Sequence, residues 1–149
     1  MRIRKIKRYF ANTSVRKLQI GCGRNLLSGW LNTDIVLGDI YLNAKKKMPF
    51  KENTFDFIFC EHFIEHLSLD DGLRFLKECH RILRRGGIIR ITTPDLEKLI
   101  KLYFGTNEFA KKEELVRVIY GKQARLSSCE LFNNYMHMWG HKFIYDREF

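Results

Sequence analysis

Apolar residues along this chain come in short runs broken by Gly, Pro and Asn, a pattern of brief strands and a few amphipathic helices. Residues 17–20, Lys-Leu-Gln-Ile, run straight into Gly21-Cys22-Gly23, which predicts a short buried strand ending in a flexible turn. Residues 30–35 predict a second strand that ends at Thr33-Asp34 with its carboxylate at the carboxyl end, and residues 40–42 a third. Met48-Pro49-Phe50 follows as a turn with an apolar anchor, since proline fixes its own backbone and restricts the residue before it. Residues 55–60, Phe-Asp-Phe-Ile-Phe-Cys, are almost continuously apolar and aromatic, which places this strand in the middle of a covered sheet.

From Asp70 the period becomes helical. Leu73, Leu76, Lys77, His80 and Leu83 share a face, which Leu69, Phe75, Cys79 and Ile82 widen. Ser68 or Asp70 caps the amino end, Arg81, Arg84 and Arg85 suit the carboxyl end, and Gly86-Gly87 stops the helix. Residues 88–92 form another strand, ended by Pro94-Asp95. Leu96, Leu99, Ile100 and Tyr103 predict a helix, and residues 111–120 another with Leu115, Val118 and Ile119 inward. Residues 131–139, rich in aromatics and methionine, either cover a pocket or complete the core. Strands separated by turns and helices define the α/β class, a mostly parallel sheet with right-handed crossovers and a nucleotide-type crevice at its carboxyl edge.

At 149 residues the chain fits one domain, 45% hydrophobic and 30% charged, which excludes a disordered polymer. No apolar run approaches the roughly 20 residues of a transmembrane helix, and the basic start lacks a signal-peptide core, so a cytoplasmic protein is expected. The scattered Cys22, Cys60, Cys79 and Cys129 form no CxxC pair and read as reduced, mostly buried thiols. Charge changes the picture more: of the net +10, most lies in residues 1–50, with 11 Lys/Arg against 2 Asp/Glu. Arg2, Arg4, Lys5, Lys7 and Arg8 form one cluster, and Lys45, Lys46 and Lys47 another. Such clusters are either a plain solvated surface or a contact for anionic headgroups, acidic ligands or nucleic acid. Ile3, Ile6 and Phe10 interleave with the first cluster at near-helical spacing, as in a short amphipathic interfacial segment.

Gly21 and Gly23 let backbone N–H groups approach a ligand at the end of the first strand. They are not a GxGxxG fingerprint, because Arg24, Asn25 and Leu26 follow, and no GxxxxGK[ST] loop occurs. Asp34 is placed either to accept hydrogen bonds from a ribose diol or to cap its own turn. His62-Phe63-Ile64-Glu65-His66 matches the inverted zinc motif HxxEH, with Glu108, Glu113 or Glu114 as further carboxylates. His62 directly follows a buried strand, however, so a helix through both histidines is not dictated, and no metal is assigned.

Taken together, these blocks resemble the class I methyltransferases that use S-adenosylmethionine. Residues 18–23 are similar to the family's first glycine motif and residues 29–34 to the segment leading to its ribose-binding acid. Residues 48–58 resemble its LPF…FD stretch, residues 61–67 its EHxxEHL turn, residues 81–96 its RxLxxGG…RIxxPDL stretch and residues 140–146 a later block. The resemblance implies a three-layer Rossmann-like methyltransferase fold lacking the last two strands. It also implies one domain over residues 1–149, with a basic extension at 1–16 and a helical acceptor-side region at 105–149. It places Gly21, Cys22 and Gly23 at the methionine end of S-adenosylmethionine, Asp34 at the ribose, Ile35 beside the adenine, Asn43 at the adenine amino group and Glu61 along the cofactor. His62 becomes the base, a core or surface histidine being the alternative reading. Tyr135, His137, Trp139 and His141 contribute to an acceptor lid or pack beneath the last helix. The implied function is methyl transfer to a small-molecule or glycan acceptor. The alternatives are a noncatalytic cofactor-binding or interaction module, and nucleic-acid binding through the basic amino terminus. A homodimer would cover the sheet edge left at residues 88–92.

Overall fold

The computed structural model describes residues 2–105, 112–121 and 123–148. Its strands are Lys17–Ile20 (β1), Leu31–Asp34 (β2), Ile40–Tyr41 (β3), Phe55–Glu61 (β4) and Leu83–Thr92 (β5). Its helices are Arg2–Asn12 (α1), Leu69–Ile82 (α2), Leu96–Tyr103 (α3), Lys112–Tyr120 (α4) and Ser128–His137 (α5). The strands pair in parallel in the order β3-β2-β1-β4-β5. The chain steps outward from β1 to β3, then crosses to the other side of β1, which is the α/β, Rossmann-like layout expected from the sequence and puts a switch point between β1 and β4.

Register defines the two faces. Leu31, Leu18, Ile58 and Ile89 form one cross-strand row, and Thr33, Ile20, Cys60 and Ile91 the next. These rows make the core with Phe75, Cys79 and Ile82 of α2 and Ile6, Tyr9 and Phe10 of α1. Alternate positions point to the opposite face, where Asn32, Gln19, Phe59 and Arg90 form a row beside Lys17, Phe57 and Ile88. The β1–β2 and β2–β3 connections, residues 21–30 and 35–39, are loops. β4 is interior, between β1 and β5, but β1 is the middle strand, so the expectation of a strand in the middle of a covered sheet holds only in part: α1 and α2 cover only one face of β4. On the other, Trp30, Phe57, Phe59 and Ile88 border an open cavity of about 390 Å³.

Buried amides replace a crossover helix on that side. The Gln19 side chain donates to the Asn25 carbonyl (2.9 Å), and Asn32 donates to the carbonyls of Leu27 (3.1 Å) and Trp30 (3.2 Å). The Leu27 N–H donates to Asn32 Oδ1 at 2.9 Å. Asn32 donates from Nδ2 and from its backbone to Asp39 Oδ2, both at 3.0 Å.

Three expectations are corrected. α2 ends at Ile82 rather than at Gly86-Gly87, because Asn53 and Thr54 N–H groups take the Arg81 and Ile82 carbonyls at 3.0 and 2.7 Å. Arg84 then donates to Asp56 Oδ1 at 2.7 Å and joins this segment to the sheet, where a register shift and Gly86 at φ +76° absorb the extra residues. The buried face of α2 is Gly72, Phe75, Cys79 and Ile82, while Leu73, Lys77 and His80 are exposed. Gly72 sets this rotation: a Cβ there would lie 2.5 Å from the Tyr145 hydroxyl. In α4 Val116 is buried and Val118 exposed, because the helix packs on Leu102 of α3 and Leu131 of α5.

α1 turns its apolar side to the core, with Phe10 5.8 Å from Phe55, and exposes Arg4, Lys5, Lys7 and Arg8. The Tyr9 hydroxyl clamps β1, donating to the Lys17 carbonyl (2.9 Å) and accepting its N–H (2.7 Å). Glu108, Lys111 and the side chains of Arg2, Ile3 and Glu113 lie outside the described residues. Among the described residues no helix is long and apolar enough to cross a membrane.

Candidate functional site

Parallel strands release their following residues at one edge, so those after β1, β2, β3 and β4 gather there. Gly21 (φ +67°) and Gly23 (φ +50°) adopt the left-handed conformation that glycine permits. The Cys22 N–H between them donates to the Thr33 carbonyl at 3.1 Å, tying the turn to β2. The Gly23 N–H donates to Asp34 Oδ2 at 3.1 Å, bringing the turn and the acid together. Asp34 Oδ1 accepts from Val36 N–H at 2.8 Å, so the carboxylate also caps its own turn, and Oδ2 keeps a lone pair. Burial, and then the Asp34 carboxylate, push the Cys22 thiol above its ordinary range, which makes it a poor nucleophile.

The two glycines face different surroundings. A Cβ on Gly21 would lie 2.4 Å from the Phe63 ring, whereas one on Gly23 would meet nothing within 4 Å. Phe63 closes the turn at Gly21, and Gly23 stays open. Ile35 is 60% exposed, and Val36 and Leu37 beside it are exposed too, an apolar surface adjoining Asp34. Asn43 sits just beyond β3, its Oδ1 accepting from Lys45 N–H at 3.1 Å, and the Leu42 N–H holds this end to the Asp34 carbonyl at 2.9 Å. Glu61 is exposed at the end of β4, and the Ile20–Cys60 pairing makes it leave the sheet beside Gly21.

His62 is held at φ +47°, with its N–H on the Thr92 carbonyl at 2.9 Å. Its Nδ1 lies 3.2 Å from Oε1 of Glu65, a fully buried side chain whose Oε2 accepts from the Thr93 hydroxyl at 3.2 Å. With Glu65 ionised, Nδ1 carries the proton and Nε2 the lone pair. Sequence reasoning missed Glu65 and Thr93 as partners of His62; the HxxE spacing across a tight turn was the available signal. His62 and His66 do not share a helix, since residues 64–66 are a single 3-10 turn with His62 outside it. The His66 ring instead meets His141 at 5.1 Å between centroids. Trp139 lies between Tyr135 (6.2 Å) and His141 (5.7 Å), and His137 is exposed at the end of α5. The Lys142 N–H joins this segment to the Glu65 carbonyl at 2.7 Å.

An adenosyl group requires an acceptor for a diol, an apolar face for its base and open backbone nearby. Asp34 Oδ2, Ile35 to Leu37 and Gly23 offer these, so the residues present fit it.

The family model described as "Methyltransferase domain" matches residues 18–91, the stretch that builds β1 to β5. An uncharacterized protein of Methanocaldococcus jannaschii is 37% identical over 54 residues, 36% of this chain and 23% of that protein. A SAM-dependent methyltransferase from Archaeoglobus fulgidus aligns at 21% identity and TM-score 0.48, over 83% of this chain and 66% of that one. A SAM-dependent methyltransferase from Thermotoga maritima aligns at 21% identity and TM-score 0.47, over 83% of this chain and 71% of that one. The sheet topology and the matched segment support a methyltransferase-like, Rossmann-like fold.

Proposed function

We propose that this domain binds S-adenosylmethionine and transfers its methyl group to a small-molecule or glycan acceptor presented from residues 105–149. The Gly23 to Asp34 hydrogen bond carries the reading, because it sets an open glycine turn and an acidic strand end side by side at the carboxyl edge of the sheet. Asp34 Oδ2 accepts from the ribose hydroxyls, Ile35 lies along the adenine and Asn43 meets its amino group. Gly21, Cys22, Gly23 and Glu61 line the methionine end. When bound, the sulfonium makes its methyl group electrophilic. The chain's own work is alignment and proton removal: His62 Nε2 takes the proton from an acceptor hydroxyl, and Glu65 fixes the ring and stabilises its cationic form.

Calorimetry with S-adenosylhomocysteine tests the first half. Asp34→Ala is expected to weaken binding by roughly 1 to 3 kcal/mol, and unchanged affinity in the folded variant removes Asp34 from the site. His62→Ala is expected to keep binding while lowering transfer by about 10²- to 10⁴-fold. A second reading is a cofactor-binding module without transfer. Binding by the wild-type chain with no transfer across a panel of hydroxyl and amine acceptors would select it.

A further inference from the structure

We propose that Glu65, His66 and His141 form a site for a divalent transition-metal ion of the zinc class. Among the described residues they are the group of three metal-ligating side chains that converges, one carboxylate oxygen and one nitrogen from each ring all lying within 4.8 Å of one another. Ligands about 2.0–2.2 Å from a tetrahedral ion lie about 3.3 Å apart. Side-chain adjustment of an ångström or so would bring all three onto one ion, with water as the fourth ligand. Two imidazoles and a carboxylate suit Zn(II), Co(II) or Ni(II), whereas Ca(II) and Mg(II) favour oxygen ligands.

The surroundings prepare these groups for an ion. His141 Nδ1 lies 2.7 Å from the Tyr135 carbonyl, which can only accept, so Nδ1 bears the proton and Nε2 presents its lone pair. A ring nitrogen anchored on a backbone carbonyl while the other faces the metal is the usual outer-shell arrangement of a histidine ligand. Glu65 is fully buried, with one oxygen on His62 and the other on Thr93. A carboxylate offers about four lone-pair positions, so a third partner fits, and a cation offsets the cost of burying its charge. His66 and His141 are half-buried, which leaves an ion a route in. Lys142 and Phe143 N–H groups both donate to the Glu65 carbonyl, at 2.7 and 3.3 Å, so the two ligand-bearing segments are already joined. The ion would staple the segment after α5 to the turn that carries His62. This set differs from HxxEH: His62 is not a ligand, and His141 comes from the far end of the chain.

The test uses the full chain without a histidine tag, stripped by chelator and titrated with Co(II) and Zn(II). Saturable one-to-one binding, a Co(II) spectrum free of thiolate charge transfer and a zinc-dependent rise in thermal midpoint are expected. His66→Ala and His141→Ala, both folded by circular dichroism, should each weaken binding at least about tenfold, while His137→Ala and Cys129→Ser leave it unchanged. Lack of binding by the folded wild-type chain, or full binding by both histidine variants, overturns the proposal. Loss of binding in Cys129→Ser does the same. None of these measurements involves S-adenosylmethionine, so the site stands or falls apart from the methyl-transfer reading.

Discussion

Gly21 has two reasons to lack a side chain: its backbone is left-handed and the Phe63 ring occupies the space a Cβ would take. Gly21→Ala should destabilise the fold by roughly 2 to 4 kcal/mol through both effects. In a Phe63→Ala background only the backbone part, about 1 kcal/mol, should remain. Urea denaturation of the four chains checks this, and equal costs in both backgrounds would mean the ring yields freely. Asp56 is a second residue with a readable energy. Its Oδ2 accepts the Arg16 N–H and its Oδ1 the Arg84 guanidinium, both at 2.7 Å, and these bonds, the Arg16 N–H first, hold its carboxyl below the usual range. A folded value below the unfolded one gives stability that is present above about pH 4 and lost as pH falls through the depressed value. Asp56→Asn should therefore be less stable than wild type at pH 7, the gap narrowing towards pH 2 in urea midpoints; a constant gap would refute the assignment. The glycine turn and Asp34 were legible in the sequence because their chemistry is local to one strand end. Phe63 over Gly21 and Glu65 behind His62 were not, because each depends on how the turn after β4 folds back.

Polar residues on the open sheet face do at the element scale what a packed helix does elsewhere. Gln19 and Asn32 are buried, and their amides satisfy the backbone of the loop between β1 and β2, whose groups would otherwise be stranded against an apolar surface. Asn32→Leu keeps the bulk and removes these bonds. It should cost roughly 2 to 4 kcal/mol and speed amide exchange at Leu27 more than in the core strands; slow exchange at Leu27 would show that Gln19 Oε1, which also accepts this N–H at 3.3 Å, holds the loop without Asn32. The short strands and α3 were readable from apolar runs, since burial between neighbours imposes that pattern whatever the topology. The rotation of α2 was not: it follows from Gly72 admitting Tyr145, a contact across more than seventy residues that periodicity does not encode. Nor was the absence of helices in the early crossovers, where Gln19 and Asn32 look like ordinary polar residues until register turns them towards the loop.

Charge and the sheet edge meet at the scale of the whole molecule. Among the described residues β5 pairs with β4 on one side and is the last strand of the sheet, so its outer backbone groups offer a template for a second copy. The chain carries a net +10, the basic side of α1 is exposed, and the edge strand itself displays Arg85 and Arg90. Two such edges repel at low ionic strength, when the screening length is about 30 Å at 0.01 M, and far less at 1 M, where it is about 3 Å. Sedimentation velocity should show a monomer at low salt and a growing dimer fraction as salt rises. Arg85→Glu should move that transition to lower salt, because each copy then loses one repulsive charge and sets a carboxylate against the other's remaining Arg90. A proline at Ile88 or Ile89, whichever N–H faces away from β4, should abolish pairing while leaving the β4 side intact. A dimer insensitive to both salt and these substitutions would place the contact elsewhere, with the open face bearing Trp30, Phe57 and Ile88 as the surface to mutate next.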